Sequence, residues 1–347
     1  MKIVLLNRPK EGQTQVDQLR FQQMLTSLRL GGVSGNYCTV QTKYDLLRIL
    51  GSEKPDLVYC ANYYVEDEQR SLVSIHRILE DNNIPYVGSA PEKLELVLSK
   101  FDLKLKWQKD KIPTPRFFKV SKVGSGIVGL EEAINAADYP YILKPDREGN
   151  SRGLDQDSIV FDRNALENKA VEMLGKYNAV LVEKFLGNAK NLHEYTVAMI
   201  GNGNQKLLMP AEIKLKQAKP IRIVTTQDKE NHLAQAIQVK DPILRKRLAE
   251  FAGKAFESAG VRDYSRCDLM MADDQLYAIE INGLPMVPDK WFEVCACGVP
   301  LNADQYINAI IMAGMGRANK NSRRNMQVPS QMAHMLPASV MTRLLDA

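Results

Sequence analysis

The beginning of the chain alternates short apolar runs with segments of helical periodicity. Residues 2–6, 56–60 and 85–88 are apolar runs of strand length, and apolar residues recur at helical spacing over residues 16–28. Strands that alternate with helices indicate a parallel sheet covered by helices on both faces. Residues 1–90 are therefore predicted to form a doubly wound α/β domain.

The pattern changes after residue 90. A charged helix is predicted over 92–109, and the strands and hairpins that follow are interrupted by helices at about 164–176 and 242–259. This mixture is typical of an α+β unit. The expected divisions of the chain are 1–90, 91–178, 179–318 and a tail over 319–347.

Composition narrows the class of protein. Of the 347 residues, 45% are apolar and 25% are charged, which is typical of a globular chain. No apolar stretch reaches about 18 residues, so a membrane span is not expected. Residues 1–7 become polar too early for a signal peptide. We therefore expect a cytoplasmic protein.

Charge and cysteine content exclude two further classes. The net charge is 46 − 41 = +5, and Lys and Arg are spread along the chain except at 317–324. We interpret this segment as a solvated linker, with a phosphate or partner contact as the alternative. A nucleic-acid partner is therefore not expected. The five cysteines include no Cys-x-x-Cys pair, and the four histidines are not spaced to join them. Neither a zinc site nor a disulfide framework is predicted.

A hairpin near the C-terminus carries polar residues on one face. If residues 273–275 form its loop, Arg266 faces Asn282 and Asp268 faces Glu280 across the two strands. Two opposed carboxylates repel unless a cation lies between them, and the oxygen atoms of Asp, Glu and Asn suit Mg²⁺. A solvated sheet face with an ion pair is the alternative.

The same register assigns the other face of the hairpin to the core. Its side chains are Cys267, Leu269, Met271, Tyr277, Ile279 and Ile281. A two-residue loop would instead turn Glu280 to this core face, because a slip of one residue exchanges the faces of a strand. The length of the loop therefore decides whether the oxygen donors meet.

A second segment is suited to bind an anion. The apolar strand over 141–144 ends in Lys144, and the small residues of the following loop are Gly149, Asn150, Ser151 and Gly153. Backbone N–H groups of such a loop can point at a phosphate, and the lysine adds a compact positive charge. The loop matches neither a Walker A motif nor Gly-x-Gly-x-x-Gly. A flexible surface loop is the alternative.

A third segment is suited to bind a base and a sugar. The strand over 180–186 carries Glu183 and then apolar residues, and Glu194 follows. Its backbone could contact a base while the carboxylates contact ribose hydroxyls. An ordinary core strand with polar ends is the alternative.

In this order and spacing, the three segments resemble those of ATP-grasp enzymes, and among these the D-alanine–D-alanine ligase group, over about residues 85–315. The resemblance implies an ATP-grasp fold, with an N-terminal α/β domain and ATP held between a central and a C-terminal subdomain. It also implies a carboxylate–amine ligase, in which an amine attacks an acylphosphate. The implied cofactors are ATP and two Mg²⁺ ions, for which Mn²⁺ can substitute.

The resemblance also implies roles for single residues. The implied nucleotide contacts are Lys104, Lys144, Glu148, Gly149, Asn150, Ser151, Glu183, Lys184, Phe185, Leu186, Glu194 and Lys229. The implied metal ligands are Asp268, Glu280 and Asn282, and the implied catalytic residues are Arg266, Lys144 and Ser151. Lys104 and Lys144 would contact phosphates and adenine, and Glu183 the adenine amino group. Charge neutralisation and positioning are what phosphoryl transfer mainly requires.

Both amino-acid pockets depart from the family pattern. The turn after the first strand, residues 7–12, lacks the family's glycine-rich sequence with Ser and Glu. Trp291 and Phe292 stand where a Ser-Leu pair would hold the carboxylate of the second substrate. Arg8 and Lys290 are candidates to anchor a carboxylate, and exposed side chains lying along the surface are the alternative.

The expected function is an ATP-dependent ligase for a small acid and an amino acid, with ligation to a mycosporine core as the specific candidate. A true D-alanine–D-alanine ligase, a small-molecule kinase of the ATP-grasp type and a nucleotide-binding scaffold without catalysis are the alternatives. The expected partners are these small substrates, and the resemblance implies a homodimer.

Overall fold

The computed structural model describes residues 1–9, 14–124, 126–149, 153–187, 191–216, 228, 233–322 and 325–345. Three of the expected site residues, Asn150, Ser151 and Lys229, lie outside these ranges. Three sheets of four or five strands and one two-stranded sheet are present in the described residues. None of the described helices is both long and apolar enough to cross a membrane.

Both faces of the N-terminal sheet are covered by helices. Its unit comprises β1 (Lys2–Asn7), α1 (Thr14–Leu30), β2 (Ser34–Thr39), α2 (Lys43–Glu53), β3 (Leu57–Cys60), β4 (Tyr64–Glu66), β5 (Leu72–Ser74), α3 (Ile75–Asp81) and β6 (Tyr86–Val87). The parallel strands have the order β2-β1-β3-β6. Ile3 and Leu5 pack towards α1, whereas Val4 and Leu6 pack towards α2 and α3. The predicted doubly wound domain is confirmed, and the β4–β5 pair is an addition to it.

The charged helix predicted over 92–109 is two helices. They are α4 (Pro91–Leu98) and α5 (Lys100–Lys109). Ser99 lies between them in an extended conformation, and its hydroxyl accepts a hydrogen bond from the backbone N–H of Asp102. The break has a physical reason, because serine stabilises a helix start by accepting an orphan N–H.

The central unit is an antiparallel sheet packed against two helices. Its elements are β7 (Phe117–Val123), β8 (Gly126–Val128), α6 (Leu130–Ala136), β9 (Tyr141–Pro145), β10 (Ile159–Val160), α7 (Arg163–Leu174) and β11 (Ala179–Lys184), with a 3₁₀ turn at Gln156–Ser158. The strand order is β10-β9-β11-β7-β8. Since β11 pairs with both β9 and β7, the division expected after residue 178 falls inside this sheet.

The C-terminal unit is a second antiparallel sheet. Its elements are β12 (His193–Gly201), β13 (Leu207–Leu215), β14 (Ala234–Gln238), α8 (Pro242–Ala259), β15 (Asp263–Ala272), β16 (Gln275–Asn282), α9 (Lys290–Ala296), α10 (Ala303–Ser322), α11 (Ser330–Met335) and α12 (Ala338–Leu345). The strand order is β14-β13-β12-β15-β16. One face packs on α5 and α8, and the other shares a core with α1, α9 and α10. The tail expected from residue 319 begins inside α10.

Candidate active site

The β15–β16 hairpin has a shorter turn than we expected. Asp273 and Asp274 form a two-residue turn, and both have positive φ angles, 48° and 66°. Tight hairpin turns of the I′ type need positive φ at both central positions, and Asp tolerates this conformation. The turn places Leu269 opposite Ala278. The expectation of a three-residue loop is therefore wrong.

An extra residue in β16 nevertheless restores the predicted pairing at the far end of the hairpin. Ile279 has no partner in β15, so it forms a β-bulge at which the register shifts by one residue. Beyond the bulge, Asp268 faces Glu280 and Arg266 faces Asn282, as predicted. The bulge thus brings the oxygen donors onto one face in spite of the short turn.

The shorter turn also corrects the predicted core face near the tip. Leu276 and Ala278 lie in the core. Tyr277 and Ile279, which we expected there, are only half-buried. The other expected core residues, Cys267, Leu269 and Ile281, are buried, and Met271 packs against them. The two registers on either side of the bulge account for this mixture.

Asp268 and Glu280 each contact a polar neighbour. Thr196 Oγ1 donates to Asp268 Oδ1 at 2.6 Å, and Asn282 Nδ2 lies 3.4 Å from Asp268 Oδ2. Glu280 Oε2 lies 3.8 Å from Lys100 Nζ. Thr196 reaches Asp268 because β12 pairs with β15 at this point.

The donor set fits Mg²⁺ that is also bound by substrate phosphates. It offers two carboxylates and one amide, and across the described ranges no group of three or more His, Cys, Asp or Glu side chains is placed to hold a metal. Mg²⁺ commonly uses one or two carboxylates and takes its other ligands from phosphates and water. The residues therefore suit such an ion and not an all-protein metal cage.

Arg266 places a permanent positive charge beside these carboxylates. Its Nε lies 3.6 Å from Asp268 Oδ1, and its terminal nitrogen lies 3.6 Å from Asp289 Oδ2. The ring of Trp291 lies 5.4 Å from the guanidinium carbon. Burial alone lowers the pKa of Arg266, but the two carboxylates outweigh burial and raise that pKa above its usual value. The guanidinium is therefore charged at every physiological pH.

A second cluster places a buried carboxylate between two lysines. Glu183 Oε2 lies 2.6 Å from Lys104 Nζ, and its Oε1 lies 2.8 Å from Lys144 Nζ. Burial raises the pKa of Glu183, but the two ammonium groups outweigh it and hold that pKa below the usual range. Burial also lowers the pKa of Lys104, against the opposing effect of Glu183.

Lys104 and Lys144 differ in what surrounds them. The ammonium of Lys104 is fully buried, and it also donates to Thr114 Oγ1 at 2.7 Å and lies 3.5 Å from the carbonyl of Ala278. Its three donors therefore have three acceptors within the protein. Lys144 is 9% exposed and contacts Glu183. Lys144 is thus better placed than Lys104 to reach a phosphate.

The start of the glycine-rich loop is fastened to α5 by Asp146. Asp146 Oδ2 accepts from Ser99 Oγ at 3.0 Å, and its Oδ1 accepts from the backbone N–H of Phe101 at 2.8 Å. Lys100 adds two bonds, from its N–H to the Asp146 carbonyl and from its ammonium to the Glu148 carbonyl. The root of the loop is therefore fixed in position.

Gly149 and Gly153 of this loop differ in whether their position requires glycine. A Cβ on Gly149 would meet nothing within 4 Å, so space does not require glycine there. Gly153 has φ +71°, and a Cβ would lie 2.8 Å from the hydroxyl of Tyr177. Gly153 is therefore required by both its backbone conformation and its surroundings.

The segment expected to contact adenine continues from β11. The N–H of Lys184 donates to the carbonyl of Arg116 at 2.7 Å, and its ammonium lies 2.9 Å from Asp138 Oδ1. Phe185 is buried, whereas Leu186 is half-buried beside it. Half-buried Glu194 lies on β12, next to Met270 of β15. The expected nucleotide contacts thus belong to two sheets.

Two of the residues expected near the substrate pockets are engaged elsewhere. The guanidinium of Arg8 is paired with Glu66, and its Nε donates to Gln41 at 3.2 Å. Phe292 is fully buried in the core. Lys290, in contrast, is exposed at the start of α9.

Sequence reasoning missed several residues that contact the expected site. They are Lys100, Thr114, Asp146, Thr196 and Asp289. Asp289 had a local signal, since an Asp before a helix is a favoured N-cap, and its Oδ1 accepts from the N–H groups of Trp291 and Phe292, each at 2.7 Å. The other four act across long sequence separations and carry no such signal.

Comparisons with known proteins match the same part of the chain. The family model described as D-ala D-ala ligase C-terminus matches residues 106–290. The D-alanine–D-alanine ligase of Desulforamulus reducens is 28% identical over 254 residues, covering 71% of this chain and 77% of the relative. That of Carboxydothermus hydrogenoformans is 24% identical over 288 residues, covering 81% and 88%.

The fold is also similar to solved structures. The D-alanine–D-alanine ligase from Bacillus anthracis gives a TM-score of 0.74 at 18% identity, covering 93% of this chain and 100% of that one. The same enzyme complexed with ATP gives a TM-score of 0.73 at 18% identity, with the same coverage.

Proposed function

This chain belongs to the D-alanine–D-alanine ligase family and has the ATP-grasp fold, and we propose that it is an ATP-dependent carboxylate–amine ligase with D-alanine as its first candidate substrate. The observation that carries the proposal is the facing pair Asp268 and Glu280, with Arg266 beside it, inside the matched region. The relatives are named D-alanine–D-alanine ligase, which favours that substrate. The mycosporine candidate has no support from these comparisons.

In the proposed reaction, a substrate carboxylate oxygen attacks the γ-phosphorus of ATP and ADP leaves. An amine then attacks the acyl carbon of the acylphosphate, phosphate leaves, and the amine loses a proton to give the amide. Mg²⁺ held by Asp268, Glu280 and Asn282 would neutralise charge on the phosphates. Arg266 would stabilise the negative charge that develops on the transferred group. Lys144 would neutralise a phosphate of the nucleotide.

The nucleotide contacts form the second part of the proposal. Glu183 is assigned to the adenine amino group, the segment 184–186 to the ring edge and Glu194 to the ribose. The loop over 148–151, including Ser151, is assigned to the phosphates. The buried position of Glu183 and the fixed root of the loop at Asp146 support this assignment. Lys104 is assigned to hold Glu183, and Lys229 to the γ-phosphate.

The direct test is ADP release by the purified protein with Mg²⁺, ATP and D-alanine, with each other amino acid of a panel as comparison. We expect release that depends on D-alanine, and an acyl hydroxamate when hydroxylamine is added. ADP release without a hydroxamate would favour the kinase alternative. Release with larger acids and none with D-alanine would contradict the assigned substrate.

A second candidate, a ligase for an amine other than D-alanine, is favoured by two observations beside Arg266. The indole of Trp291 covers one side of Arg266, and Asp289 accepts from the N–H groups of Trp291 and Phe292 in the first turn of α9. Product analysis with D-alanine and mixed amines would separate the two candidates. In either case, we assign the enzyme to the cytoplasm. We also propose a homodimer, and sedimentation of the purified protein would test that oligomeric state.

A further inference from the structure

The β16 bulge lies where two registers of the hairpin compete. The two-residue turn sets Leu269 opposite Ala278, and continuing that register would turn Glu280 to the core face. The extra residue Ile279 prevents this, but β16 is the edge strand of its sheet. An edge strand has no second strand to hold an irregular residue in place. Something else must therefore stabilise the bulge.

The chain segment before β7 holds the residue that precedes the bulge. Ala278 is fully buried, and its N–H donates to the carbonyl of Pro113 at 2.8 Å. Its carbonyl accepts from Thr114 Oγ1 at 2.8 Å. Both backbone polar groups of Ala278 are thus bound by two successive residues outside the sheet.

The hydroxyl of Thr114 has a second partner. It accepts from Lys104 Nζ at 2.7 Å while it donates to the carbonyl of Ala278. The ammonium of Lys104 contacts Glu183 at 2.6 Å from its buried position. Thr114 therefore joins the cluster at Glu183 to the hairpin that carries Glu280.

We propose that Thr114 is a positioning residue that holds the β16 bulge through Ala278 and thereby keeps Glu280 opposite Asp268. The metal-binding readout of this proposal does not depend on which substrate the enzyme uses, although the role of Glu280 rests on the proposed function. Removing the Thr114 hydroxyl leaves a buried carbonyl with one partner fewer, and such losses correspond to about tenfold in an equilibrium constant.

The test compares Thr114→Val, which keeps the shape and removes the hydroxyl, with Thr114→Ser, which keeps the hydroxyl. Thr26→Val is the matched control, because Thr26 Oγ1 also donates to a backbone carbonyl but lies exposed on α1. Mn²⁺ binding is measured by electron paramagnetic resonance in the presence of a non-hydrolysable ATP analogue. Mg²⁺ activation of ADP release and the KM for ATP are measured in parallel.

We expect Thr114→Val to weaken Mn²⁺ binding and Mg²⁺ activation by about tenfold, with Thr114→Ser and Thr26→Val within about twofold of the wild type. Equal Mn²⁺ binding in Thr114→Val and the wild type would overturn the proposal. A tenfold loss in Thr114→Ser would also overturn it, even if Thr114→Val does not fold. If the wild-type protein releases no ADP with any substrate, the proposed function is contradicted. The Mn²⁺ comparison would still decide the role of Thr114.

Discussion

Two facing carboxylates, Asp268 and Glu280, repel each other unless a cation lies between them. We predict that Asp268→Asn and Glu280→Gln each lower Mg²⁺-dependent ADP release by at least about a hundredfold, the range in which charged groups at such sites act. Asp274→Asn is the control on the same hairpin, because Asp274 is exposed and pairs with Arg247 at the surface. Near-normal turnover in both site variants would remove the metal assignment.

The sequence places Arg266 and Asp268 on one face of β15, but their pairing with Asn282 and Glu280 depends on a bulge that no local pattern predicts. Strand alternation fixes which side chains share a face, so Arg266 and Asp268 follow from a local pattern. Thr196 reaches Asp268 only because β12 pairs with β15, a contact between distant segments. The burial of Lys104 likewise depends on contacts with Thr114 and other distant groups.

His76 gives the fold a predicted acid sensitivity. It is fully buried on α3, edge-on to Tyr86, and within the described residues neither ring nitrogen has a hydrogen-bond partner. Burial, together with the charges of Arg262 and Arg317, lowers the pKa of His76 from 6.5 to about 3. Below pH 6.5 the unfolded chain therefore binds a proton that the folded chain does not.

The contribution of His76 to stability is accordingly intact above about pH 6.5 and is lost as the pH falls towards 3. We expect a loss of about 1.4 kcal/mol per pH unit in this window, or about 2 kcal/mol between pH 6.5 and pH 5. Urea unfolding at both pH values measures it. His76→Phe should lose less stability over the same interval, and an equal loss in both proteins would show that His76 is not responsible.

Elements were predicted most accurately where their periodicity was long and unbroken. The helix predicted over 242–259 is α8 with the same bounds, whereas the helix over 92–109 divides at Ser99. That division depends on one hydroxyl that caps α5 and donates to the distant Asp146. Turn length, which determined the hairpin register, likewise depends on two positive φ angles that two Asp residues tolerate without requiring them.

Asp289 connects the stability of α9 to the position of Arg266. Asp289→Ala removes the cap and should lower the free energy of unfolding by about 1 kcal/mol. Asp289→Asn keeps the cap and removes only the charge that faces Arg266, so it should lose less, because Asn caps equally well. Asp162→Ala is the control, because it removes an N-cap from a different helix, α7, and leaves Arg266 untouched. Urea unfolding measures both changes. A stability loss for Asp289→Asn as large as that for Asp289→Ala would contradict the capping role.

The N-terminal and C-terminal units of the molecule meet around one buried carboxylate. Asp263 at the start of β15 is fully buried, and it accepts from the N–H of Gly88 at 2.8 Å and from Asn202 at 3.0 Å. Arg317 of α10 pairs with it at 2.8 Å. The interpretation of residues 317–324 as a solvated linker is therefore wrong at Arg317, because charge pattern alone does not reveal a distant buried partner.

Removing that partner should destabilise the whole chain. We expect Arg317→Met to lower the free energy of unfolding by about 3–5 kcal/mol, because it leaves the buried Asp263 carboxylate without its cation. The double variant Arg317→Met with Asp263→Asn should recover part of the loss. Arg343→Met, at an exposed position of α12, is the control, expected within about 0.5 kcal/mol of the wild type. Guanidinium unfolding measures the stability of each variant. Equal stability of Arg317→Met and the control would refute the role of the Arg317–Asp263 ion pair.

The β16 bulge makes the hairpin one residue longer than its pairing needs. Since Ile279 has no partner in β15, a chain that lacks it would form a regular ladder with Ala278 still opposite Leu269 and the next carboxylate still opposite Asp268. Such a shortened hairpin would no longer depend on the Thr114 hydroxyl for its register. A natural or engineered deletion at this point would therefore be tolerated, and would leave the Thr114 hydroxyl needed only by Lys104.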